Sequence, residues 1–572
     1  MKRNISALVV LLLIATTCTL ANPIDATKAK SIAKAALTTL KNKQIDIIEA
    51  DCESLSKSRI DADTTAPAFY IFNSTDSAGF VIVSGDDAFP SIAGYSDCGF
   101  VDTDRALPDG LALFLEAYTR YVEDVRQDRI EAPALMEDAA EPTVIVEPIV
   151  ECQWGQDDPF NYYCPEAYPV GCVATAMAQI MYHYKWPETG TDSIEYIWNG
   201  RTLSEDFSTH TYDWSAMKKS AGSNRLGKAR DAVARISYDC GVATKMNYGP
   251  GGSGTYDDLA LVAFYKYFGY TASAINIVRR DCCNSKEEWE RIIRKELDAR
   301  RPIQFSASSQ TGEGGDAAGH SFIVDGYDSN GFVHVNWGWN GSGDGFYDMS
   351  LMDVDNYKFY LGQSAIIGIT PNYEGKETKR NQFRLHITEG PVVDEGYAPS
   401  TTNEFKVRFS SVYNYSASTR VYYFGLGIFD KNGNFLDDVS VYSTDKNKLI
   451  LQGFYGKTTY GPMACKLPKT YPDGDYIFRA ISKEDGYDKW VLTETEGGDS
   501  KNLLRAYIHS GKIHFYEVST SIDDINASDS PVRTEYFDLN GRKITDPNER
   551  KGIVIRKDSF SDGRAKTSKL AM

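Results

Sequence analysis

The sequence predicts an α+β molecule carrying an all-β tail. Three observations support this. Two helical stretches flank an apolar hairpin between residues 26 and 125, helices mix with strands and glycine-rich loops from about 148 to 372, and period-two alternation dominates from about 374 onward. The 572 residues exceed what one core can hold. At roughly 100–200 residues per domain, three to five modules are expected.

The first element is an export signal. Lys2 and Arg3 precede a short apolar run from Ile5 to Ala15, and Thr19-Leu20-Ala21 supplies small residues where a signal peptidase cuts. The run is too short for a membrane span of about 20 residues, and no later segment reaches that length. Residues 1–21 are therefore read as signal peptide. Ala26 to Leu40 has the Ala/Lys/Leu content of an amphipathic helix. Ala68–Asn73 and Gly79–Asp86 flank a polar turn and read as a β-hairpin, and Leu111 to Val125 is helical again. Gln127 to Glu147 is charged, holds Pro133 and Pro142, and lacks periodicity. It reads as a linker open to proteolysis, so 22–147 is taken as a propeptide with its linker.

The second unit, 148–372, contains a helix opening at Cys172, helical stretches near Leu226–Cys240 and Trp289–Ala299, and strands carrying His320 and Asn336. The glycine run Tyr248–Gly254 lacks the Lys-Ser/Thr of a phosphate loop and reads as a mobile loop bordering a cleft. In the tail, Phe405, Val407 and Phe409 alternate with Lys406 and Arg408. Asp430-Lys431-Asn432-Gly433 and Asp473-Gly474 read as hairpin turns, which makes 374–518 one or two β-sandwich modules. A polar joint at Ser519–Pro531 begins the last segment, 519–572.

The net charge of −18 argues against nucleic acid and against anionic membrane surfaces as partners. Removal of Cys18 with the signal leaves nine cysteines, so at least one thiol stays unpaired even outside the cell. No CxxC pairs with a second such motif, and neither a metal nor a cofactor is expected. The adjacent Cys282-Cys283 reads as apolar filling or one half of a disulfide.

Cys172 follows Gly171 at the start of a small-residue helix, where unpaired N–H groups and the macrodipole favour a thiolate. Residues 172, 175, 176 and 179 share one helix face. Seven histidines could serve it. His386, His509 and His514 lie in the β modules, His183 falls roughly 16 Å along the same helix, and His210 lies in a polar stretch without an apolar frame. His320 instead follows Gly314, Gly315 and Gly319 and begins the strand Phe322-Ile323-Val324. A turn at Asp328–Gly331 returns Phe332–Trp337 antiparallel, which brings Asn336 beside the strand of His320. An amide there can fix the imidazole tautomer while an indole excludes water. Strict alternation puts Asn336 and Trp337 on opposite faces, so either Gly338 relaxes the strand or only one of the two reaches the histidine. His334 shares the hairpin and is the runner-up base, although its neighbours Val333 and Val335 favour a structural role. An oxyanion donor is expected upstream, and Gln153 and Gln156 both offer an amide.

Trp154-Gly155-Gln156, Gly171–Met181, Gly319-His320-Ser321-Phe322 and His334–Trp339 together resemble the streptopain family of papain-like cysteine peptidases. Phe69–Asp87 and Ile92-Ala93-Gly94-Tyr95-Ser96 resemble that family's propeptide, so the likeness covers roughly 26–372. It implies a papain-like peptidase of two subdomains, held by its own α+β prodomain as an intramolecular inhibitor and acting on protein or peptide substrates. Cys172 would be the nucleophile, His320 the general base and acid, Gln156 the oxyanion donor, and Trp337 the residue packed on the histidine. Ser253 and Gly319 would line the substrate cleft. Tyr536–Lys543 and Gly552–Ile555 are similar to C-terminal sorting domains of the type IX route, which implies recognition by secretion machinery and a secreted or surface-attached product. Two rivals remain: an amidase or transglutaminase on the same fold, and a surface adhesin with a vestigial peptidase.

Overall fold

A computed structural model describes residues 21–51, 66–76, 79–133, 142–309, 319–348, 360–376, 379–394, 403–443, 448–459, 461–516, 533–537, 543–544, 553–559 and 565–571. The hydrophobic run of the signal, Gly314, Gly315 and the joint at Ser519–Pro531 lie outside the described residues. The chain divides into two compact units, one of residues 1–155, 219–221 and 307–361, the other of 156–218, 222–306 and 362–572.

The first unit begins with α1 (Ala26–Lys41), capped by the Asp25 carboxylate, which accepts from Lys28 N–H. It buries Ala29, Ala33 and Leu37 against a core that includes Phe72, Val81, Tyr95, Phe332 and Phe346. The expected hairpin forms from Phe69–Ser74 and Phe80–Ser84, with Tyr70 opposite Val83. Ile92–Ser96 adds a third strand beside it. The sheet then continues through Gly345–Tyr347 and Val333–Asn336 to Gly319–Asp328. Tyr95 pairs with Phe346 and Gly94 with Tyr347, so propeptide strands and the histidine hairpin share one antiparallel ladder. The end of the expected linker is also ordered. Val144–Val146 forms a strand against Tyr327 and Asp328, because its β-branched residues suit a pleated surface better than solvent. The second helix, α2 (Asp109–Arg126), is buried along most of its length. Its Arg126 guanidinium pairs with buried Asp86 at 2.9 Å and also donates to the Ala66, Pro67 and Gly85 carbonyls.

In the second unit, α3 (Cys172–Tyr184) is buried from Val173 to Tyr182, and α4 (Gly227–Ala243), α5 (Asp257–Lys266) and α6 (Lys286–Asp298) follow. A hairpin of Ser193–Trp198 and Arg201–Asp206 turns at Asn199 and Gly200, both with positive φ, as a two-residue type I′ turn requires. In the tail, Phe405, Val407 and Phe409 are buried as the alternation predicts. Their partners across the core are Phe424, Leu426, Ile428 and Phe478 of the facing sheet. Asp430–Gly433 is a hairpin turn between Arg420–Asp430 and Phe435–Val441. Asp473-Gly474 is not one. The strand before it, Met463–Lys466, pairs with Glu404–Arg408, whereas Gly474–Glu484 joins the opposite sheet, so the chain crosses between sandwich layers there. Strands 533–537, 543–544, 553–559 and 565–571 form a separate four-stranded antiparallel sheet. Cys98, Cys164, Cys240, Cys282 and Cys465 are free thiols. Among the described residues, no helix is long and apolar enough to cross a membrane.

Candidate active site

The predicted site residues fall into two groups, one on each unit. In the second unit, Cys172 is the first residue of α3 and is partly exposed, preceded by Gly171 at φ 93°. A side chain at Gly171 would meet Met246 Sδ at 2.7 Å and the Ser253 carbonyl at 2.9 Å, so only glycine admits this entry into the helix. Thr175, Ala176 and Gln179, on the same face as Cys172, are all buried. The Val170 N–H donates to the Gln156 carbonyl at 2.9 Å, which fixes Gln156 beside the segment leading into Cys172. Gln153 belongs elsewhere. Its main chain bonds Lys219, and its side chain lies against Gly341 in the first unit. The Ser253 hydroxyl donates to the Pro169 carbonyl at 2.6 Å and accepts from Gly249 N–H at 3.3 Å. The glycine-rich loop expected to be mobile is thus tied down, and the Asn247–Gly254 bridge and the Trp198 indole bond to the Tyr248 carbonyl hold it further.

In the first unit, Gly319 opens the strand Gly319–Asp328, and His320 is almost fully buried at its start. The hairpin register sets Ile323 opposite Asn336. The strand Val333–Asn336 then stops, and Gly338 takes φ 73°. That resolves the alternation conflict: Trp337 leaves the ladder, and its carbonyl faces His320 Nε2 at 3.3 Å. The Trp337 ring packs 4.8 Å from Phe322 and 5.2 Å from Tyr347. The Asn336 amide donates to the Cys152 carbonyl at 2.8 Å and its oxygen accepts from Gly338 N–H at 3.0 Å. It braces both the strand end and the segment that precedes Gln156.

A residue of the expected propeptide reaches this group. Gly110, in the first turn of α2, is so close to the two rings that a Cβ there would lie 2.6 Å from His320 Cδ2 and 2.5 Å from Trp337 Cε3. No larger residue fits without displacing a ring.

A profile of the Peptidase C10 family matches residues 154–347, which include Gln156, Cys172, Ser253, Gly319, His320, Asn336 and Trp337, and the Spi protease inhibitor profile matches 21–122. The chain belongs to the Peptidase C10 family. It is a cysteine peptidase with an inhibitor-like propeptide. This C10 peptidase is 29% identical to streptopain of Streptococcus pyogenes over 355 residues, covering 55% of this chain and 84% of that one. It is 31% identical to a thiol protease/hemagglutinin of Porphyromonas gingivalis over 338 residues, covering 54% of this chain and 38% of that one. Among solved structures, the prointerpain A fragment of Prevotella intermedia matches at 30% identity and TM-score 0.46, over 53% of this chain and 96% of that one.

Two further features of this C10 peptidase escaped the sequence reading. Asp344 is buried and accepts from Trp337 N–H at 3.0 Å, closing the loop that carries the tryptophan. Burial pushes its pKa up to about 7, although the Trp337 bond and His334 act to lower it. The Asp-Gly pair at 344–345 looks like an ordinary turn, which hides the acceptor. His334 is structural as expected, with Nδ1 2.6 Å from Asp325, whose other oxygen accepts from Val150 N–H. Burial pulls the His334 pKa down, but the Asp325 carboxylate outweighs it and holds the imidazole above its ordinary value. His210, which looked frameless, bonds buried Asp239 at 2.8 Å through Nδ1, and that bond raises its pKa.

Proposed function

We propose that this peptidase is a secreted endopeptidase made as a zymogen, with Cys172 as nucleophile and His320 as general base and acid. The observation that carries the zymogen reading is the contact of Gly110 with the His320 and Trp337 rings. An imidazole wedged against a helix backbone cannot turn freely to exchange protons.

In the proposed cycle, the Cys172 thiolate attacks the scissile carbonyl carbon. The resulting oxyanion is held by the Cys172 N–H and the Gln156 side-chain amide, each such donor being worth roughly 2.7–4 kcal/mol. His320 passes its proton to the leaving amine, which departs and leaves a thioester on Cys172. His320 then removes a proton from water, the hydroxide attacks the thioester, and the thiolate is restored with release of the carboxylic acid. Trp337 shields the imidazole from water, and Asn336 holds the loop on which that indole sits. Ser253 and Gly319 border the substrate strand, Ser253 by tethering its loop to Pro169. Propeptide cleavage between about 127 and 147 frees the enzyme, and the segment from 519 onward directs export.

Cys172→Ala in the full precursor tests this. Self-processing and casein hydrolysis should both stop. Unaltered maturation would refute self-cleavage, and residual hydrolysis would remove Cys172 from its role. Amine incorporation into casein by the parent enzyme would favour the transglutaminase alternative.

A further inference from the structure

We propose that Cys282, His386 and Glu494 form a divalent-metal site of the zinc type, fastening the β-sandwich to the segment that precedes α6. Cys282 ends the short turn Arg280–Cys282, whereas His386 and Glu494 stand opposite one another on paired parallel strands of the tail. Cys282 Sγ lies 3.6 Å from His386 Nδ1, and one donor atom from each of the three residues lies within 4.8 Å of the other two. A tetrahedral zinc ion with bonds of about 2.3 Å to sulfur and about 2.05 Å to nitrogen requires a sulfur-to-nitrogen edge of about 3.5 Å. The observed separation meets that requirement without rearrangement. A thiol and an imidazole with a single carboxylate select zinc over magnesium or calcium, which prefer all-oxygen cages.

The surroundings suit a cation. Arg279 Nη1 holds Glu494 Oε2 at 3.0 Å, the kind of hydrogen bond that orients a ligating carboxylate. The Glu494, Asp281 and Glu496 carboxylates add negative potential at His386, opposed in part by the Arg279 guanidinium. Binding would release the Cys282 proton to solvent as the metal–sulfur bond forms, and water would complete the coordination. A cavity of about 30 Å³ lined by Arg279, Tyr415 and Glu494 adjoins the site and has room for one such molecule. Successive donors are about a hundred residues apart in the chain, so no spacing motif announces them. The function is mechanical: the residues on either side of Cys282 already bond the tail, through Gly497 N–H to the Asp281 carbonyl and Ser500 N–H to Asn284.

The test uses the full precursor carrying Cys172→Ala, so that neither self-cleavage nor the nucleophilic thiol interferes. After chelator treatment the protein is titrated with Zn²⁺, and with Co²⁺ as a spectroscopic substitute. One equivalent of tightly held zinc is expected, with a near-ultraviolet thiolate-to-cobalt band and a zinc-dependent rise in unfolding temperature. Cys282→Ser should abolish the band, and His386→Gln should weaken binding at least about tenfold. A parent protein that retains no zinc or shows no thiolate band would overturn the site, whether or not the variants fold. Binding unchanged in either folded variant would also overturn it.

Discussion

Replacing Gly110 by alanine adds one methyl group at the point where α2 meets two buried rings. That carbon would sit 2.5–2.6 Å from three ring atoms of Trp337 and His320. Comfortable carbon contacts begin near 3.5 Å, so the deficit is about 1 Å. Neither ring can yield cheaply. Trp337 is 1% exposed, and its indole N–H is bonded to the Gly343 carbonyl at 3.1 Å. The helix must therefore lift, and overpacking of this kind costs about 1–3 kcal/mol. Alanine also raises helix propensity, but docked and undocked α2 share that gain, so it leaves the docking equilibrium unchanged. The docked propeptide should then be disfavoured roughly five- to 150-fold. The assay is the onset of peptide hydrolysis by the purified Gly110→Ala precursor under reducing conditions, against the parent at equal concentration. Faster activation is expected, and Gly110→Val should go further. A Gly110→Ala precursor that activates at the parental rate, with the same unfolding midpoint, would refute the idea that this contact restrains the histidine.

Asp86→Ala should strand the Arg126 guanidinium, which is 8% exposed, and cost about 3–5 kcal/mol in the denaturation of the Cys172→Ala precursor. Removing both charges with Asp86→Ala and Arg126→Met should recover much of the loss, and no recovery would argue that packing rather than charge is at stake. Asp344 has its folded pKa raised from 3.8 to about 7, so the stability tied to its neutral form is complete below about pH 4 and is lost as pH rises through 7. Asp344→Asn keeps an acceptor for Trp337 N–H and should stabilise the protein by up to roughly 4 kcal/mol above pH 7, with the two proteins converging towards pH 4. A difference independent of pH would refute this.

The histidine hairpin was legible because its signals are local. Asp328-Ser329-Asn330-Gly331 can only turn, and the apolar runs on either side set the register that puts Ile323 opposite Asn336. The site's first residues were legible for the same reason: Gly171 and the small residues after Cys172 describe a helix start pressed on its neighbours. The Ser193–Asp206 hairpin carried an equally local Asn-Gly signal that a reading centred on the catalytic motifs passed over. Long-range pairing was not legible. Nothing near Tyr95 announces Phe346, and nothing near Gly110 announces His320, since such contacts depend on how whole elements stack. Asp473-Gly474 misled because the same residues that close hairpins also serve a crossing between sheets, and local chemistry does not distinguish them.

The shared ladder has a consequence for activation. While the propeptide is in place, Ile92–Ser96 supplies the partner of Gly345–Tyr347, which in turn pairs with the strand that ends at Asn336. Removing the propeptide strips one side of Gly345–Tyr347 and turns an internal strand into an edge, with backbone N–H and C=O groups left to water. That strand is three residues long and ends beside Asp348, which suits a short polar edge better than an aggregating one. Amide exchange at Gly345–Tyr347 should therefore rise on maturation, while the amides facing Val333–Val335 stay protected. Hydrogen exchange followed by mass spectrometry of precursor and processed enzyme measures both together. Equal protection of this segment before and after processing would show that the ladder does not open when the propeptide is cut. The propeptide would then remain bound through its strands, and access to His320 would have to come from movement of α2 alone.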